Sequence, residues 1–107
     1  MDYQMKLIQP IGIFDGRQGR EIHNQIGKFI DTGVKIFLLD FQSVNFMDSS
    51  GFGALLLMLK TVQKDQGRLV ICSINEQIRM ILELSDTTKI FEVLPDQDTF
   101  MKNLTLA

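Results

Sequence analysis

Two short segments of this chain are apolar on both of the faces that an extended backbone presents. They are VKIFLLDF (residues 34–41) and RLVICSI (68–74). A strand of that kind must be covered on two sides, which is the place of an inner strand in a sheet packed between helices. Helical spacing surrounds both runs. Ile22, Ile26, Phe29 and Ile30 predict a helix over Gln18–Thr32, with Gly33 as its C-cap. Leu55, Met58, Leu59 and Val62 form the stripe of a second helix, which follows SVNFMDSS and runs to about Gln66, where Gly67 stops it. Ile78, Ile81 and Leu82 mark a third, capped by Ser73 or Asn75, with Ser73 and Glu76 spaced as a capping box. Pro95-Asp96 opens a fourth, with Phe100, Met101 and Leu104 on one face.

The remaining pieces are short. YQMKLI and GIFD flank Gln9-Pro10 and read as two strands paired with each other at a sheet edge, where a residue without an amide donor is tolerated. KIFEVL reads as a last strand. The order is β β α β α β α β α. It predicts an α/β sandwich with a mixed, mostly parallel sheet of about five strands and about four helices. No linker or repeat divides the chain, so residues 1–107 are expected to form one domain.

Composition narrows the function. Eleven Lys+Arg against 13 Asp+Glu give a net charge of -2, which argues against a general nucleic-acid or anionic-membrane surface. The single Cys72 excludes an internal disulfide, fits a reducing compartment, and is expected to serve as a small buried hydrophobe within its strand. No basic stretch precedes an apolar N-terminal segment, and the longest wholly apolar run is Ala54–Leu59, far below the ~20 residues of a membrane span. A cytoplasmic chain is the expectation.

The reactive-looking stretch is NFMDSSGFGALLLMLK (45–60). A nucleophile elbow needs glycine two residues before and after its serine. Ser49 has Met47 before it, while Ser50 is flanked by Asp48 and Phe52. The only histidine, His23, lies in the first predicted helix and reads as a helix-surface residue. A dinucleotide fingerprint fails at Leu56, and the Gly-Lys-Ser/Thr of a P-loop is absent. One His and one Cys offer no metal-ligand spacing. A phospho-receiver reading has Asp40 and Asp48 near a strand end, but the first loops add only Asp15, and Lys89 is the one lysine suitably placed by order. The simplest reading makes Asp48, Ser49 and Ser50 helix caps. It leaves two hydroxyls followed by two glycines without a reason. Phe52, Leu56 and Leu57 fall beside the apolar stripe of the helix behind them. They either widen it between neighbouring helices or form a patch for a partner, and their nearness to Ser49 leans toward the partner.

NFMDSSGFGALL, preceded by FLLDFQSV and followed by GRLVICSI, resembles the STAS domain of bacterial anti-sigma factor antagonists. GIFD looks like that family's Gly-x-Leu-Asp, with Phe14 for Leu, and the resemblance covers essentially the whole chain. It implies a STAS-like fold and a protein that is not an enzyme and has no catalytic residues, metal or cofactor of its own. In that family the unphosphorylated domain binds an anti-sigma factor that is also a serine kinase. That kinase, which brings ATP and Mg, phosphorylates the serine after the aspartate, and a serine phosphatase resets it. Carried over, the phosphoacceptor is Ser49, with Ser50 second. Asp48, Ser50, Gly51 and Gly53 match the loop, and the two glycines would let a kinase approach closely. Asp15, Phe52 and Leu56 are the expected partner contacts, and the chain is expected to be a monomer when free. Phe52 stands where Leu is usual, and Asp86 where the family often has Gly. Other members of the family do not switch, serving in stress-sensing scaffolds, on anion transporters or in lipid-transport complexes.

Overall fold

The computed structural model describes residues 5–106. Its elements are β1 (Met5–Ile8), β2 (Gly12–Phe14), α1 (Gly16–Asp31), β3 (Ile36–Asp40), β4 (Val44–Met47), α2 (Ser49–Lys64), β5 (Arg68–Cys72), α3 (Glu76–Leu84), β6 (Glu92–Leu94) and α4 (Gln97–Leu106). The two apolar runs become the inner strands of a four-stranded sheet ordered β1-β3-β5-β6, and every pairing within it is parallel. Side chains alternate between its faces, as the period of two requires. Phe37, Leu39, Leu69 and Ile71 join the core beneath α1, α2 and α3, while Ile36, Leu38, Val70 and Cys72 pack with Phe100 of α4. Three helices therefore cover one face and one helix the other. Cys72 is buried, and burial pushes its thiol up to about 11. Among the described residues no helix is long and apolar enough to cross a membrane.

Two expectations about the strands are corrected. β1 and β2 do not pair with each other. β1 pairs with β3, and β2 turns away to form a separate parallel pair with β4. Tyr3 and Gln4 of the first predicted strand lie outside the described residues. β4 itself was hidden in the segment read as a loop before the second helix. Its burial runs buried, exposed, exposed, buried, and the register with β2 shifts between Gly12 and Ile13. That irregularity erases the alternation by which a half-buried strand is recognised. The strand count is thus six among the described residues, in two sheets.

The helix ends follow local chemistry. Asp15, not a residue near Gln18, opens α1, its carboxylate accepting from the Gln18 N–H at 2.9 Å. Gly33, at φ 96°, follows the Thr32 C-cap, in the left-handed conformation glycine adopts readily. Asn75 caps α3 through the Ile78 N–H at 2.9 Å. Ser73 sits two residues earlier at φ 58°, so the Ser73–Glu76 capping box does not form. Asp96 takes the Thr99 N–H at the start of α4, where Phe100 is buried and Met101 is exposed.

Among the described residues, Asp40 is the one buried polar or charged side chain. Its carboxylate accepts from Gln97 Nε2 (2.6 Å), Gln9 Nε2 (3.3 Å) and the Gln42 N–H (3.0 Å), joining the end of β3 to α4, the β1–β2 connection and the following loop. Burial pushes its pKa up. The hydrogen bonds from Gln97, Gln42, Gln9 and Ser73 outweigh burial and hold it below the ordinary 3.8. A lowered folded pKa stabilises the fold fully above the unfolded value and ceases to do so as pH falls through the folded one. Asp40→Asn replaces an acceptor with a donor facing donors, and should cost about 1–3 kcal/mol at neutral pH. Urea denaturation below pH 4 should show a shallower acid limb than in the parent; an unchanged limb would assign the acid sensitivity elsewhere.

Candidate functional site

Strand β4 ends at Met47, whose side chain is fully buried, and the chain turns at Asp48 into α2. Asp48 is the N-cap, extended at φ -93° and ψ 177°. Its Oδ1 accepts from the Gly51 N–H at 2.7 Å and from the Ser50 hydroxyl at 2.7 Å. These two bonds, the Gly51 amide first, hold the Asp48 carboxyl below its ordinary pKa, so it is anionic at neutral pH. The Ser50 hydroxyl also accepts from the Gly16 N–H at 2.8 Å, satisfying the first orphan donor of α1. The starts of α1 and α2 therefore lie side by side, joined through Ser50.

The neighbouring serine differs. Ser49 is exposed, and among the described residues no hydrogen bond engages its hydroxyl. Phe52 and Leu56 follow at three and seven residues, on the same side of α2. Both are half-buried against the main core, while Leu57 is 54% exposed. Leu55, Met58, Leu59 and Val62 are buried, as their spacing indicates.

The two loop glycines have separate reasons. A Cβ on Gly51 would lie 1.9 Å from the Phe14 carbonyl oxygen, so β2 itself excludes a side chain there. A Cβ on Gly53 would meet nothing within 4 Å. Closeness to a kinase is thus not needed to explain Gly51, and only Gly53 is open toward solvent. Asp15 joins the site through its neighbours: Phe14 and Gly16 are the residues that touch Gly51, Asp48 and Ser50.

Asp40 and Asp48 are each committed to hydrogen bonds within the fold, and among the described residues no group of three or more His, Cys, Asp and Glu converges as a metal site would. His23 is half-buried with Nε2 2.8 Å from the Thr61 hydroxyl, linking α1 to α2. Sequence reading missed Ile13 and Phe46, register partners in β2 and β4 that are 60% and 47% exposed beside the loop. Recognising β4 would have placed them.

Residues 4–101 match the family model of the STAS domain. The chain belongs to the STAS domain family. Among relatives of this STAS chain, a putative anti-sigma factor antagonist, BtrV, of Bordetella bronchiseptica is 26% identical over 82 residues, which is 77% of this chain and 71% of BtrV. An anti-sigma F factor antagonist of Paenibacillus polymyxa is 29% identical over 68 residues, 64% of this chain and 56% of its own length. The STAS fold is shared with the antagonist SpoIIAA in its unphosphorylated form, with a TM-score of 0.81 at 18% identity over 100% of this chain and 93% of that one. The phosphorylated form of SpoIIAA, from Bacillus, gives 0.73 at 20% identity over 95% and 93%.

Proposed function

We propose that this STAS chain is an anti-sigma factor antagonist that works by partner switching. Unphosphorylated, it binds an anti-sigma factor that is also a serine kinase; phosphorylated by that kinase on Ser49, it lets go, and a serine phosphatase restores it. The observation that carries this reading is the contrast between adjacent serines. Ser50 both accepts from Gly16 and donates to Asp48, whereas the Ser49 hydroxyl stands free on the exposed first turn of α2. A hydroxyl that must enter another protein's active site has to be accessible and uncommitted. The names of the relatives in Bordetella and Paenibacillus support the same role. In this scheme the chain is no enzyme and carries no cofactor. ATP and Mg belong to the kinase, the domain is a cytoplasmic monomer when free, and it meets neither nucleic acid nor membrane.

Incubation with ATP and the cognate kinase, followed by intact-mass measurement, tests the acceptor. Ser49→Ala should abolish phosphate uptake and still bind the kinase, while Ser50→Ala should still be phosphorylated on Ser49. Phosphate found on Ser50 of the parent would move the site by one residue. An unmodified parent would favour a non-switching interaction module.

A further inference from the structure

The peptide bond between Met47 and Asp48 is held from both sides. Its N–H donates to the Phe14 carbonyl of β2 at 3.3 Å. Its carbonyl accepts from Nε2 of Gln77, in the first turn of α3, at 2.8 Å, and Oε1 of the same side chain accepts the Met47 N–H at 2.9 Å. The Gln77 amide thus stands where another strand would, along the edge of β4 that β2 leaves open. Asn75 closes the preceding position, donating from Nδ2 to the Asn45 carbonyl at 3.0 Å. A primary amide offers a donor and an acceptor together, which is what a strand edge presents in reverse.

This peptide immediately precedes the N-cap. The 2.7 Å bonds of the Asp48 carboxylate to Gly51 and Ser50 require its Cα to be held in place, and Ser49 is the next residue. Without the Gln77 amide, the peptide would be tied only through its long bond to Phe14. We infer that Gln77 is a positioning residue for Ser49: it fixes the Met47–Asp48 peptide, and through it the cap that presents the hydroxyl. The role of Ser49 as acceptor rests on the proposed partner switch; the clamp on the peptide does not.

Two measurements separate those layers. In the isolated protein, Gln77→Ala should speed amide hydrogen exchange at Asp48 and Gly51 by about tenfold or more, with β3 amides unchanged. Host extract supplied with labelled ATP then gives initial rates of phosphate incorporation against chain concentration. Gln77→Ala should lower apparent kcat about tenfold or more while leaving apparent KM within about threefold, because a misplaced acceptor slows transfer without removing the docking surface. Ser85→Ala removes the hydroxyl that donates to the Ile81 and Leu82 carbonyls at the far end of α3, leaves β4 and the Met47–Asp48 peptide untouched, and should keep apparent kcat within about twofold of the parent. Unchanged exchange at Asp48 and Gly51 would overturn the inference whatever the extract does. So would equal losses of apparent kcat in the two variants, which would make Gln77 merely structural. A parent that takes up no phosphate would instead refute the partner switch, leaving the exchange measurement to decide the clamp.

Discussion

Gly51→Ala should destabilise the chain by more than about 3 kcal/mol, a large share of the roughly 5–15 kcal/mol that holds a domain folded. The added Cβ would fall 1.9 Å from the Phe14 carbonyl oxygen and 2.7 Å from its carbon. That carbonyl cannot move aside freely. It accepts the Asp48 N–H, and the Phe14 side chain is fully buried against Phe41 in an edge-to-face contact at 5.3 Å. The gain in helix propensity from Gly to Ala, about 1 kcal/mol, has the opposite sign and is too small to compensate. Gly53→Ala supplies the contrast two residues on. It meets open space, so propensity alone should act, and stability should rise by about 0.5–1 kcal/mol. Urea denaturation of both variants measures the difference. A Gly51→Ala variant within 1 kcal/mol of the parent would mean that β2 and α2 can separate without loss.

The contrast between these glycines shows where sequence stops being informative. Strands β3 and β5 were legible because burial on both faces leaves an apolar residue at nearly every position. The stripe Leu55, Met58, Leu59 and Val62 was legible because a helix on a sheet needs that spacing. The motif spanning Asp48 to Gly53 draws attention to the candidate site for a related reason: its residue types are local and contiguous. What could not be read depends on pairing at a distance. β2 meets β4 through partners 32 or 33 residues apart in the chain, with a register shift that local alternation cannot signal. Ser49 and Ser50 are chemically identical in sequence, and the folded contacts of Ser50 with Gly16 and Asp48 are what separate them. Gln77 is an ordinary polar residue of an amphipathic helix until its amide is seen along β4. Glycine carries no mark to tell whether the space beside it is filled by its own chain, as at Gly51, or left open, as at Gly53.

Phosphorylation of Ser49, or its replacement by glutamate, should weaken binding to the anti-sigma factor by at least about a hundredfold while changing the stability of the free chain little. The two halves of this expectation follow from different environments of the same charge. In the free protein the phosphate adds about -1.5 to -2 charges on an exposed first turn, where water solvates it. The amino end of α2 favours that charge by only ~0.3–1 kcal/mol, and the ionised Asp48 beside it opposes. Small terms of opposite sign leave the fold nearly unmoved. In the complex the same group would be taken out of water beside Phe52 and Leu56, the half-buried apolar residues on its side of α2. An unpaired charge buried in that way costs several kcal/mol, and each 1.4 kcal/mol is tenfold in affinity. Calorimetric titration of the anti-sigma factor with the parent, Ser49→Ala and Ser49→Glu reads the effect directly. Ser49→Ala should bind like the parent, showing that the hydroxyl itself contributes little. If Ser49→Glu and the phosphorylated chain both bind as tightly as the parent, the partner must supply a cation at Ser49, and charge exclusion is not how the switch opens.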